Sequence, residues 1–289
     1  MSAGSIAVVT DSSADLGPLA AQNKIVVVPL RVRFGLNEYD DGSDLSAADF
    51  YAKLKAERDV PSTAQPSPAS FQETYRRLLA DGAPHILSLH LSAKLSGTFN
   101  AARMAAAEVA PERITTVDTG TVSSGLGLLA LHARRRIADG ATFEAAQALV
   151  AELIHRLWLY ATVPSLTYLA RGGRIGRLRG LIGNALKIVP VLTLTDGEVK
   201  EYAKVRTFGR AVDAIVDAAK SRLARPGAGL SAGCGLRCAV IHAVAPELAE
   251  SIARRLSDVV DGAEMMICSV GPTVGTHAGP GAIGVFCLA

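Results

Sequence analysis

Two hydroxyl-bearing loops are the parts of this 289-residue chain best suited to chemistry. The first reads Pro61-Ser62-Thr63-Ala64-Gln65-Pro66-Ser67. The second, Ser92-Ala93-Lys94-Leu95-Ser96-Gly97-Thr98, follows the apolar run His85-Ile86-Leu87-Ser88-Leu89 and precedes an Ala-rich stretch that predicts a helix over 99–110. A strand, a Ser-Gly-Thr loop and a helix in that order suit an anion. The helix N-terminus offers unpaired N–H groups and the positive end of a dipole. Gly97 admits a ligand close to the main chain, and Ser96 and Thr98 add hydroxyl donors. No Lys stands in the Gly-Lys-Ser/Thr spacing of a P-loop. The loop therefore suits a small anion such as a carboxylate better than a triphosphate; its plainer alternative is that Ser96 only caps the helix.

Two further segments carry chemistry-bearing side chains. In Thr276-His277-Ala278-Gly279-Pro280-Gly281 the turn formers predict a His held on a loop, in either a functional or a structural role. In Arg171-Gly172-Gly173-Arg174-Ile175-Gly176-Arg177-Leu178-Arg179, together with Lys187, Lys204 and Arg206, positive charge concentrates. That run is either a solvated face or a docking patch for an acidic or phosphate-bearing partner. Nucleic acid fits less well, because no aromatic residue interleaves the charges. The pattern Gly125-x-Gly127-x-x-Ala130 matches a dinucleotide fingerprint only superficially: the loop before it is too long and no acidic residue ends a following strand. It predicts a helix packed closely at its glycines. There is no G-x-S-x-G elbow, no H-E-x-x-H and no kinase lysine, and neither a nucleophile–base pair nor two carboxylates on one predicted face emerges. Donors without a nucleophile imply binding, not turnover.

The elements that must position these residues alternate in the first half. Apolar strands at 6–9, 24–32, 85–89 and 114–117 are separated by helices. One opens at the capping box Ser46-Ala47-Ala48-Asp49, with Phe50, Tyr51 and Leu54 inward; another opens at Ser67-Pro68 and closes at Gly82. A polar loop, Thr10-Asp11-Ser12-Ser13, ends the first strand, as at the carboxyl edge of a parallel sheet. In the second half, strands at 189–195 and 199–205 flank Asp196-Gly197, a strong hairpin pattern. Helices over 208–223 and 245–259 alternate with strands at 238–242 and 265–268, and a short helix at 165–170 follows a strand at 160–163. The expected fold class is α/β with two domains, a mostly parallel βαβ domain over 1–158 and a mixed or antiparallel sheet with helices on one face over 159–289, with ligand between them. The stretch 224–235 reads as a surface loop.

Composition sets the bounds. A 49% hydrophobic share supplies a large core, and a net charge of +3 is too small to argue for nucleic acid. Four cysteines, Cys234, Cys238, Cys268 and Cys287, lack zinc spacing and read as reduced, mostly buried thiols of a cytoplasmic protein. The first residues have neither the charge nor the apolar run of a signal peptide, and no 18-residue apolar run exists, so no membrane span is expected.

Taken in order, several segments resemble the DegV family of bacterial fatty-acid-binding proteins. They are Thr10-Asp11-Ser12-Ser13-Ala14-Asp15-Leu16, Thr63 with Gln65-Pro66-Ser67, Leu95-Ser96-Gly97-Thr98, Val117-Asp118-Thr119, Tyr168-Leu169 with Gly172-Gly173-Arg174-Ile175, Lys187 with Pro190-Val191-Leu192, Asp196-Gly197, and Gly275-Thr276-His277 with Gly279-Pro280-Gly281. Ala64 and Gly176 depart from the family, which often has Ser at both places. The resemblance implies a protein that encloses one long-chain fatty acid between its domains, with no other cofactor and no metal. It implies that Thr63, Ser96, Gly97 and His277 gather at the carboxylate, and that Arg174 and Arg206 lie on a surface that docks the catalytic subunit of a fatty acid kinase. Transient contact with a membrane surface is compatible with such cargo. The competing readings are a stand-alone lipid sensor or storage protein, and a phosphotransferase or esterase on a related scaffold.

Overall fold

The computed structural model describes residues 5–57, 60–176, 178, 188–224, 235–261 and 264–289. In chain order its elements are β1 (Ala7–Asp11), a 3-10 turn (Ser12–Ala14), α1 (Pro18–Gln22), β2 (Ile25–Val28), β3 (Arg31–Phe34), β4 (Asn37–Asp40), α2 (Ala47–Ala56), β5 (Ser62–Ala64), α3 (Pro68–Ala80), β6 (Ile86–His90), α4 (Thr98–Val109), β7 (Ile114–Asp118), α5 (Ser124–Ala138) and α6 (Phe143–Arg156). Then follow β8 (Leu157–Thr162), α7 (Thr167–Arg171), β9 (Val189–Thr195), β10 (Glu198–Val205), α8 (Phe208–Leu223), β11 (Cys238–His242), α9 (Pro246–Leu256), β12 (Met265–Ser269), α10 (Pro272–Ala278) and β13 (Ile283–Leu288). Lys187, Arg177, Arg179, Cys234 and most of the expected 224–235 loop lie outside the described residues.

The fold is α/β. A parallel sheet has the order β2-β1-β6-β7; a mixed sheet has the order β10-β9-β8-β13-β11-β12, in which only β11–β12 is parallel. β1 and β6 are buried along their whole length, as expected of strands covered on both faces. Phe71 and Tyr75 of α3, with the alanines of α4, pack on one face of the parallel sheet. The leucines of α5 pack on its other face and simultaneously against Ala239, Ile241 and Phe286 of the mixed sheet. The far face of the mixed sheet is covered by α8 and α9. The molecule is thus layered α/β/α/β/α with α5 at the centre. The expectation of helices on one face of the second sheet is corrected: α5 covers the other face, because it is apolar nearly all round. The boundary expected between 158 and 159 falls inside β8.

The apolar run 24–32 is not one strand. Pro29 has no N–H for a ladder, and the chain leaves the parallel sheet after Val28. β3 then forms a small antiparallel sheet, β4-β3-β5, in which Val32 pairs with Thr63. The first hydroxyl loop is therefore partly strand. The Asp196-Gly197 turn joins β9 to β10 with both residues at positive φ (53° and 75°), as a tight two-residue hairpin turn needs. Ser46 and Ser67 cap α2 and α3 as their sequences predict. Cys238, Cys268 and Cys287 are free and buried.

The two helical glycines of α5 fit it between the sheets. A Cβ on Gly125 would stand 2.5 Å from the Phe286 ring and 2.6 Å from Thr121 Oγ1; on Gly127 it would stand 2.7 Å from the Ala14 carbonyl oxygen. Helix propensity alone gives Gly→Ala a gain of about 1 kcal/mol. Overpacking against a fully buried ring costs about 1–3 kcal/mol. Gly125→Ala is therefore expected to lower stability in urea unfolding, and a gain would contradict this packing.

Candidate functional site

The switch point of the parallel sheet lies between β1 and β6, where connections leave in opposite directions and ligands of open α/β sheets collect. Asp11, at the end of β1, fixes this edge. Its Oδ2 accepts from Leu91 N (3.2 Å) and lies 2.9 Å from His90 Nδ1, while its Oδ1 accepts from Ser13 N (3.2 Å). The loop after β6 is thereby held at its root. Ser92 Oγ then donates to the Gly197 carbonyl (2.7 Å), tying the loop to the β9–β10 turn.

A cavity of about 400 Å³ runs from these loops between the two sheets. Its walls are mainly aliphatic, among them Leu91, Leu95, Leu159, Leu192 and Ile241. At one end it gathers Thr63, Gln65, Ser96, Gly97, Arg174 and His277. Ser96 is not the cap of α4; Gly97 is, and Ser96 Oγ instead accepts from Thr98 N (3.3 Å) and lies 2.9 Å from Thr98 Oγ1. Gln65 is exposed, and its carboxamide lies over Gly97, where a Cβ would stand 2.0 Å from Oε1.

His277 is on a helix, not a loop. Pro272 starts α10, and Gly279, at φ 74°, ends it, so the surrounding turn formers act as helix boundaries. His277 Nε2 lies 2.9 Å from Thr63 Oγ1, across 214 positions of sequence. A hydroxyl–imidazole pair therefore exists, although none was legible in the chain. Its Nδ1 is buried without a partner, where a triad would place a carboxylate. Burial, and then the charge of Arg174, push the imidazole down to about 4, so it is neutral near pH 7. Gly172 makes room for the ring: a Cβ there would stand 2.0 Å from Nδ1.

Arg174 was expected on a docking surface and out of the pocket. The structure corrects this: Arg174 lines the cavity. Its Nε donates to the Leu95 carbonyl (3.0 Å) and its Nη1 to the Gly172 carbonyl (2.6 Å), which turns the guanidinium inward. Arg206 is exposed at the end of β10.

Two carboxyls that pattern reading missed hold α10. Asp15 Oδ1 accepts from Gly271 N (2.9 Å) and its Oδ2 from Ser123 Oγ (2.5 Å); Asp41 Oδ2 accepts from Thr273 N (3.3 Å) and from Ser12 Oγ (2.9 Å). The two acids stand at positions 15 and 41, with α1, β2, β3 and β4 between them, so no one predicted face contains both. No group of His, Cys, Asp or Glu among the described residues is arranged to hold a metal. No described helix is long and apolar enough to cross a membrane.

The DegV family model, described as "Uncharacterised protein, DegV family", matches residues 5–289. The chain belongs to the DegV family. A DegV domain-containing protein of Streptomyces coelicolor is 39% identical over 282 residues, with 97% of each chain covered. Among solved structures, "Fatty Acid Binding of a DegV family Protein from Thermus thermophilus" superposes with a TM-score of 0.88 at 31% identity, covering 99% of both chains. DegV of Bacillus subtilis, described as a fatty acid binding protein, superposes at 0.85 with 29% identity over 99% of this chain and all of that one. The two-layered-sheet architecture is thus that of DegV proteins.

The acids of this DegV chain set a pH dependence. Burial pushes Asp15 up to about 8 and Asp41 up to about 6; the hydrogen-bond donors oppose the shift, and for both the neighbouring Asp11 charge adds to it. Their folded forms hold a proton more tightly than the unfolded chain does, so their contribution to stability is present at low pH and is lost as pH rises through these values. His277 has the opposite sign, losing stability as pH falls from the ordinary imidazole range toward 4. Above about pH 7 most of the remaining change in charge among the three belongs to Asp15. Melting temperature is expected to fall between about pH 6.5 and about pH 8.5, and Asp15→Asn to flatten that decline. An unchanged slope in Asp15→Asn would refute the assignment.

Proposed function

We propose that this DegV protein binds one long-chain fatty acid in the 400 Å³ cavity and presents its carboxylate to a separate kinase subunit, which forms the acyl phosphate. The observation that carries this reading is an aliphatic cavity that ends, near the surface, in two hydroxyls, a glycine N-terminal to a helix, and a neutral imidazole. Fatty acids named for related DegV structures support it.

The division of labour follows from magnitudes. Burying about 16 methylenes at roughly 0.8 kcal/mol each gives a gross gain of roughly 13 kcal/mol, from which immobilisation costs are subtracted. Each charge-assisted hydrogen bond contributes roughly 1.5–3 kcal/mol. The tail sets affinity and the head group sets orientation. A carboxylate only accepts, so Thr63 and Ser96 must donate to it. Thr63 then accepts from His277, which makes the ring the Nε2–H tautomer and a positioning residue for the Thr63 proton. Arg174 adds positive charge at the same end, and Gly97 leaves the main chain approachable. Exposed Arg206 remains the docking residue of this proposal.

The Thr63–His277 pair favours one second reading, an acyl hydrolase. A base held near 4 is poorly matched to neutral pH, and its Nδ1 has no orienting carboxylate. Hydrolysis of a p-nitrophenyl acyl ester, lost in both Thr63→Ala and His277→Ala, would establish that reading against ours.

Native mass spectrometry of the purified chain is expected to show the added mass of one fatty acid. Ser96→Ala and Thr63→Ala are expected to keep that mass yet lower acyl-phosphate formation about tenfold, the equivalent of one hydrogen bond. Unchanged turnover in both variants would remove these residues from the head-group site. Arg206→Glu is expected to retain lipid and weaken the partner by roughly 2 kcal/mol, through a lost contact and added repulsion. Loss of lipid with normal docking would place Arg206 in the pocket instead.

A further inference from the structure

Gly97 is a glycine that its own backbone does not require. Its φ is −75° and its ψ 3°, on the negative-φ side that residues with a Cβ also occupy. What the position lacks is room for a side chain. A Cβ there would stand 2.0 Å from Gln65 Oε1, 2.8 Å from its Cδ and 3.0 Å from its Nε2. The Gln65 carboxamide therefore lies against the Gly97 main chain, at the N-cap of α4. The group that approaches this glycine closely belongs to the protein itself.

The backbone of Gln65 is anchored on both sides. Ala64 ends β5, where it pairs with Arg31, and Pro66 follows. Pro66 is buried, and a proline confines the residue before it to extended backbone. Ser67 then caps α3. The Gln65 side chain is exposed, and no hydrogen bond among the described residues engages its carboxamide. Holding a long polar side chain in one place costs rotamer freedom, which solvent exposure alone does not repay. Here an absent side chain at Gly97 provides the seat, and Gln65, Gly97, Thr63 and Ser96 line the same end of the cavity.

We propose that Gln65 is a head-group residue: its carboxamide, seated on Gly97, donates to the carboxylate beside Thr63 and Ser96 and shields it from water. This rests on the fatty-acid reading above and adds a donor to that site. An ionised carboxyl has about four lone-pair positions, so two hydroxyls do not satisfy it. Oε1 is the carboxamide atom nearest Gly97, which leaves Nε2 to donate. Each hydrogen bond to the charged form makes the carboxyl harder to protonate. The bound acid thus reports directly on whether Gln65 touches it.

The test uses the full chain loaded with hexadecanoic acid labelled at its carboxyl carbon, whose NMR shift is followed as pH is lowered. Arg174 and His277, ionisable side chains at the same end, are unaltered throughout, so their effect is common to every sample. Gln65→Ala is expected to raise the titration midpoint of the bound carboxyl by about one pH unit. Gln65→Glu, of nearly the same shape, is expected to raise it further, because it places a second negative charge there. Gly97→Ala is expected to push the carboxamide aside and to match Gln65→Ala. It displaces Gln65 without removing it, and so keeps the proposal open to refutation should Gln65→Ala fold poorly. Gly97→Ala added to Gln65→Ala is expected to change nothing more, since both remove one contact. A midpoint unmoved in Gln65→Ala or in Gly97→Ala overturns the proposal. A further rise in the double variant overturns it too, because the glycine would then be making room for the ligand. Absence of a bound carboxyl signal from the unaltered chain overturns the fatty-acid reading itself, an outcome distinct from a bound acid that ignores Gln65.

Discussion

Two carboxyl groups from the first 41 residues hold the N-terminus of a helix that begins at Pro272. That clamp is the constraint on which the cavity end depends. α10 has only seven residues and a glycine at its N-cap with no side chain to bond. A helix so short does not persist on propensity. Asp15 and Asp41 bond the N–H groups of Gly271 and Thr273, and Asp15 also takes the Ser123 hydroxyl at the start of α5. One end of α10 is thereby fixed to the loop after β1, to the end of β4 and to the central helix. The other end carries His277 to Thr63. The cost is two enclosed acids whose charged forms are disfavoured, which couples the site to pH through groups that line a neighbouring cleft, not the cavity itself.

The central position of α5 explains how one cavity comes to lie between two sheets. A helix buried on every side from Ser124 to Ala133 is shared by the two sheets, and its glycines allow close approach at Phe286 and at Ala14. Phe286, Leu159 and Leu192 of the mixed sheet then face Leu91 and Leu95 from the parallel one across the cavity. The ties that close its polar end are main-chain acceptors met by long side chains, such as Arg174 to Leu95 and Ser92 to Gly197. They join the two sheets by bonds whose acceptors are carbonyls, and at Gly197 the tie also needs the absent side chain, since a Cβ there would stand 2.4 Å from Ser92 Oγ.

The chemistry of the polar end is one of orientation. A neutral imidazole with an unpaired Nδ1, a hydroxyl on a short strand, and a glycine under a Gln65 carboxamide define donors and room without supplying a base of useful strength. A catalytic pair would need the imidazole raised toward neutrality by a carboxylate on Nδ1. Here Arg174 stands nearby and lowers it.

The sequence by itself determined the local structure. Ser46, Ser67-Pro68 and Asp196-Gly197 act within four residues of themselves, and caps, N1 prolines and two-residue turns are decided at that range. It also marked Thr63, Ser96, Gly97 and His277 as residues of interest, because hydroxyls, a glycine and a histidine among turn formers stand out from an apolar background. Only the tertiary structure decided their relations. Thr63 and His277 meet across 214 positions, and Asp15 reaches Gly271 across 256. The run at 24–32 divided between two sheets at one proline, and Arg174 turned into the cavity to reach carbonyls at Leu95 and Gly172. The helical state of α10 was hidden for the same reason: its N-terminal hydrogen bonds are supplied by acids far away in sequence. Periodicity and caps are local quantities, whereas a site built from side chains of separate layers exists only once burial has brought those layers together.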